Sequence, residues 1–135
     1  MGSSFSIANK TSKRIPRALL RRVFSLVSKK RTMEVSLVFL GNQAMQNVNR
    51  KWRKQDAQAN VLAFPLDASV GEVVINPQEA EREARREGVS YNRRVAYLFL
   101  HGLLHLYGYD HTKKQDVVKM EKKEHEILKK AYSIN

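Results

Sequence analysis

Apolar positions along the chain change period several times, and each change marks an element. Residues 5–9 alternate as a short first strand does. Over residues 16–30, Leu20, Val23, Phe24 and Val27 fall at helical spacing. Arg17 and Arg21 share the opposite side, and Pro16 is tolerated in the first turn. Residues 33–40 are mostly apolar, which predicts a strand central in a sheet. Gly41-Asn42 breaks it, and Asn42 is expected to cap a short helix that turns Met45, Val48 and Trp52 inward. Residues 60–64 read as a strand ended by Pro65, and Gly71 to Ile75 as the next.

The C-terminal half is helical. Asn76-Pro77-Gln78-Glu79 combines a cap, a proline at the first helical position and an acid at the third. Gly88 ends that helix; another runs from Ser90 to Tyr107, with Gly108 as its stop. Thr112-x-x-Gln115 reads as a capping box for a last helix to about Ala131. The order β-α-β-α-β-β-α-α-α predicts an α+β fold. A small, mixed, partly parallel sheet of about four strands packs with about five helices.

A length of 135 residues suits one domain, residues 1–135, with a core that needs no disulfide staples. The absence of cysteine excludes disulfide partners, zinc ribbons and thiol catalysis. Any metal site must therefore use His, Asp or Glu. No apolar run approaches the roughly 20 residues of a membrane helix, and the N-terminus lacks the apolar core of a secretory signal. Met1-Gly2 opens a loose myristoylation pattern too common to weigh. The expectation is a cytoplasmic protein without a membrane partner.

Charge adds a partner class. Lys plus Arg is 25 against 13 acids, a net charge of +12, which points to an anionic partner and first to nucleic acid. Residues 1–33 hold nine of these cations and no acid. Arg17, Arg21 and Arg22, with Lys10, Lys13 and Arg14, are candidate RNA-backbone contacts. A second cluster is Arg50, Lys51, Arg53 and Lys54.

Three of the four histidines fall in His101-Gly-Leu-Leu-His105-Leu-Tyr-Gly108-Tyr-Asp110-His111. His101 and His105 are four apart and share a helix face. Gly108 can take the left-handed conformation that turns the chain back and brings His111 round as a third ligand. Three imidazoles favour zinc, one ion per chain, though other divalent ions also fit. A set of three leaves a position open for water, the arrangement hydrolysis uses. Asp110 is a candidate to orient an imidazole N–H. His125, in a charged helix, reads as surface, and Tyr109 is the aromatic residue expected beside the site.

The spacing H-x-x-x-H-x-x-G-x-x-H is that of the metzincin proteases, whose general base follows the first histidine. Here that position is Gly102, which cannot move a proton, and peptide hydrolysis loses its base.

The histidine segment resembles the defining motif of the YbeY family, metal-dependent endoribonucleases that act as rRNA maturation factors. Arg53-Lys-Gln-Asp56-Ala-Gln-Ala59-Asn60-Val61-Leu62-Ala63-Phe64-Pro65 is similar to the family's second block, with Ala59 and Ala63 in place of hydroxyl residues. Val70-Gly71-Glu72-Val73 matches a third block with Glu for Asp, and Met120-Glu-x-x-Glu124-x-x-Ile127-Leu128 also resembles the family. The resemblance covers about residues 34–128.

It implies a zincin-like α+β domain with a zinc centre at His101, His105 and His111, set in a basic groove. It implies a zinc-dependent hydrolase, an endoribonuclease that processes the small-subunit rRNA end and serves ribosome quality control. Arg53 becomes the candidate catalytic residue, since guanidinium suits phosphate in the transition state. Glu72, like Asp110, becomes a candidate behind the metal ligands. Beyond RNA and the small ribosomal subunit, the implied partners are a small-subunit ribosomal protein and an Era-type GTPase. The competing reading is a ribosome- or RNA-binding assembly factor whose metal is structural and whose intrinsic catalysis is slight.

Overall fold

The computed structural model describes residues 3–30, 32–53, 60–109 and 113–133. Among them the chain forms β1 (Ser4–Asn9), α1 (Arg17–Val27), β2 (Glu34–Phe39), α2 (Asn42–Arg53), β3 (Val61–Asp67), β4 (Val70–Ile75), α3 (Pro77–Glu87), α4 (Tyr91–Leu106) and α5 (Lys114–Tyr132). A single 3-10 turn, Ser28–Lys30, tightens the end of α1.

The four strands lie in the order β1-β2-β4-β3. β1, β2 and β4 are parallel, and β3 runs antiparallel to β4 on the edge. The mixed α+β sheet and the interior place of β2 agree with the hydrophobic pattern. Alternation divides the sheet into two faces. Phe5, Ile7, Val35, Leu37, Phe39, Val73 and Ile75 point into the main core with α1, α4 and α5. On the other face Met45 of α2 packs with Leu62 and Val74.

α4 is the central helix, touching β3, β4, α1, α3 and α5. Its Val95, Ala96, Leu98, Phe99, Leu100, Leu103 and Leu104 are buried, so it is apolar almost all round, as a core helix must be. It can approach the sheet because of two glycines. A Cβ on Gly102 would stand 2.9 Å from Val73 Cγ1, and one on Gly71 would stand 2.7 Å from Leu106 Cδ1. Gly102 is thus a packing residue, seated where helix and strand touch.

Four local expectations need correction. Pro65 does not end β3, which continues to Asp67 with an irregularity in register after Pro65. An edge strand spares proline the missing donor. Asn42 is the first residue of α2, not its cap: the Gly41 carbonyl accepts from Met45 N–H, and Asn42 Oδ1 accepts from Asn76 Nδ2 at 2.8 Å. Trp52 is 65% exposed, because α2 covers only part of the outer face and its last turn overhangs the rim beside Leu66. α5 begins at Lys114 with Lys113 in the cap position and no side-chain cap bond. Thr112 lies outside the described residues.

The remaining boundary signals hold. Asn76 Oδ1 accepts from the N–H groups of Gln78 and Glu79, and Ser90 Oγ accepts from Arg93 N–H. Gly88 and Gly108 have φ of 69° and 96° and end their helices in the left-handed region.

Candidate metal centre

α4 carries two histidines one turn apart, so both imidazoles leave the same face. His101 and His105 are half-buried. Their Nε2 atoms stand 3.3 Å apart. Two nitrogens each 2.0–2.1 Å from a tetrahedral zinc lie roughly 3.3 Å from one another. The pair therefore has the bite of a tetrahedral ion.

The orientation of His101 has a cause. Its Nδ1 is 2.7 Å from Glu124 Oε2. A carboxylate there accepts the Nδ1–H and leaves the Nε2 lone pair for a metal. Glu124 is 5% exposed, between Met120 and Ile127 on the buried stripe of α5. In the sequence Glu124 stands only as part of a motif, with no role attached. The signal that could have found it is an acid at i+4 from Met120 and i−3 from Ile127, inside an apolar helical stripe.

Both histidines open into a cavity of about 460 Å³ between α4 and edge strand β3. Asn60, Val61 and Ala63 line one wall; Arg94, Tyr97, Leu98, His101, Gly102 and His105 line the other. The Tyr97 ring lies 5.8 Å from His101, centroid to centroid. Burial, and after it the Glu124 carboxylate, raises the Tyr97 hydroxyl above the ordinary tyrosine pKa. It stays a neutral hydroxyl at physiological pH.

The other candidates are placed as follows. Glu72 pairs in register with Ser36 and Phe64 on the outer face of the sheet, away from α4, whereas its neighbours Gly71 and Val73 meet that helix. Strand alternation thus separates Glu72 from the histidines, and it borders a separate depression on the outer face with Trp52 and Leu66 instead. Tyr109 faces a separate depression with Tyr107, Asp116 and Lys119. His125 is exposed, as expected.

Arg17 and Arg21 are exposed on α1, while Arg22 Nε donates to the Ala131 carbonyl at 3.1 Å and ties α1 to α5. None of the three lines the cavity. Arg53 is the last residue of α2; its side chain, like Lys54, Asp110 and His111, lies outside the described part of the structure. Among the described residues no group of three metal ligands assembles, so the geometric fit rests on the His101–His105 pair.

Comparison with known proteins supplies the family. The family model described as Endoribonuclease YbeY matches residues 3–132. Curated relatives of that name include one from Carboxydothermus hydrogenoformans, 39% identical over 70% of this chain and 69% of the relative. One from Bartonella bacilliformis is 36% identical over 84% of this chain and 78% of the relative. One from Campylobacter jejuni is 39% identical over 81% of each. The fold also matches the solution structure of TM1509 from Thermotoga maritima, with a TM-score of 0.75 at 24% identity, over 95% of this chain and 89% of that one. With a family model spanning nearly its whole length and relatives alike over most of theirs, the chain belongs to the endoribonuclease YbeY family.

Proposed function

We propose that this chain is a zinc-dependent endoribonuclease that acts on ribosomal RNA in the cytoplasm, in maturation of the small-subunit rRNA end and in ribosome quality control. The observation that carries the metal part is the 3.3 Å separation of two imidazole nitrogens, one of them backed by a buried carboxylate. The name of the relatives supports the reaction class. The charge of +12 supports a polyanionic substrate.

His101 and His105, joined by His111, would hold the ion. Zinc or another divalent ion so held would supply Lewis-acid polarisation and acidified water for phosphodiester hydrolysis. The chain's own residues do the rest. Glu124 holds His101 in one tautomer, and Tyr97 and Leu98 wall the groove beside it. Arg53 is proposed to contact the scissile phosphate through its guanidinium. Gly102, packed on Val73, leaves no acid where a metzincin carries its base, so proteolysis is not part of the reading. Contacts with a small-subunit ribosomal protein and an Era-type GTPase follow from the family resemblance alone.

The test is cleavage of ribosomal RNA by metal-loaded wild type and by His105→Ala, prepared side by side. Cutting by the wild type alone is the expected result, with the variant slower by at least about a thousandfold, the scale of losing a metal-centred reaction. Binding without cutting by a metal-loaded wild type would favour the assembly-factor reading instead.

A further inference from the structure

The cavity has a second polar cluster that the metal chemistry does not use. Arg94 lies on the same face of α4 as His101, seven residues before it, which is about 10 Å along the helix axis. Glu83 Oε1 accepts from Arg94 Nε at 2.9 Å and from Nη2 at 2.8 Å. Glu83 Oε2 accepts from Asn60 Nδ2 at 2.9 Å. Glu83 is buried and outside the lining, and its carboxylate holds Arg94 and Asn60 side by side where both line the cavity. Glu87 Oε1 approaches Arg94 Nη1 at 3.4 Å, and the Tyr97 ring lies 5.0 Å from the guanidinium carbon.

The charge balance decides what such a pair can hold. Glu83 and Glu87 face Arg94, and Glu87 also pairs with Arg86 at 3.9 Å, so two guanidiniums balance two carboxylates and the cluster has no positive charge to spare for a phosphate. What it keeps is oriented hydrogen bonding. Of the five N–H groups of a guanidinium, three point to Glu83 and Glu87 and about two remain. Asn60 gives one Nδ2–H to Glu83, which fixes the amide plane and with it the direction of the Oδ1 acceptor. A fixed donor beside a fixed acceptor is the pattern presented by side chains that read the edge of an unpaired base. The backbone holds the acceptor still as well, since the Asn60 carbonyl accepts from Asn76 N–H at 3.0 Å.

We propose that Arg94 and Asn60, fixed by Glu83, read a nucleobase of single-stranded RNA in the groove and so set sequence preference beside the cut. This rests on the endoribonuclease reading. The two-turn offset from His101 assigns the base to a nucleotide flanking the scissile bond. Glu83 is a positioning residue, and Arg94 and Asn60 touch the substrate.

The experiment cuts a single-stranded RNA library carrying a short randomised window, using metal-loaded wild type, Arg94→Gln and Asn60→Ala, and sequences the new ends. Binding of one uncleaved RNA is measured against salt for each protein. The wild type is expected to prefer certain bases at one position near the cut. Both variants should lower that preference roughly tenfold with the salt slope unchanged. A uniform loss across all sequences with a shallower salt slope would make Arg94 a backbone contact and overturn the proposal. A preference unchanged in both variants, or absent from the wild type, would leave only a structural ion pair. Should Arg94→Gln fail to fold by its thermal melt, Asn60→Ala decides alone. A wild type that cuts no RNA overturns the endoribonuclease reading itself, and the base-reading role falls with it.

Discussion

Glu124 ties the site together at the scale of single residues. Replacing it with Gln keeps the shape but removes the charge that accepts the His101 N–H. Zinc affinity should fall about 10–100-fold, the usual cost of losing such a partner, with the fold retained; competition against a chromophoric chelator measures it. The histidine pair was legible in the sequence because helical period alone puts His101 and His105 on one face. Glu124 was not, because its partner lies 23 residues away and only packing of α5 on α4 brings them together. Glu72 failed for the opposite reason. Its motif was visible, but the face of a strand on which a residue lies depends on the register of its neighbours. The Glu83–Arg94–Asn60 cluster likewise joins α3, α4 and the residue before β3, which no local pattern connects.

Element boundaries were readable wherever backbone chemistry is local. The cap at Asn76 and the left-handed glycines at 88 and 108 fall where expected. The start of α2 was not readable, because its polar side chain has a distant alternative. Asn42 spends its oxygen on Asn76 instead of its own helix, and Gln78 Oε1 accepts from Asn42 N–H at 2.9 Å. The first turns of α2 and α3, which leave neighbouring parallel strands, thus satisfy one another. Asn76→Ala removes the α3 cap and the link to α2 at a fully buried position. It should destabilise the protein by about 2 kcal/mol, the upper range for cap loss, read as a lower midpoint in urea with an unchanged m-value.

The excess of basic residues acts over the whole molecule. Single-stranded RNA bound through several phosphates releases counterions, so affinity should fall at least about tenfold between 50 and 200 mM salt. Fluorescence anisotropy on a labelled RNA measures the slope; a flat response would remove the basic surface from the account. Arg22 and Lys13 already serve internal bonds, to Ala131 and to Glu81, so fewer cations reach solvent than the composition suggests. Among the described residues no helix is long and apolar enough to cross a membrane.

The groove has one wall on β3 and the other on α4, with Asn60 and His101 far apart in the chain. The histidine pair needs only the helical period of α4 to share a face. The opposite wall is half of a local hairpin, β3 with β4, but that hairpin takes its place in the sheet only when β4 pairs in parallel with the distant β2, the non-local step. Without that pairing, His101 and His105 would share a helix face with no second wall opposite them. The cleft is thus a product of topology: its two walls come from parts of the chain that meet only through the long-range pairing of the sheet.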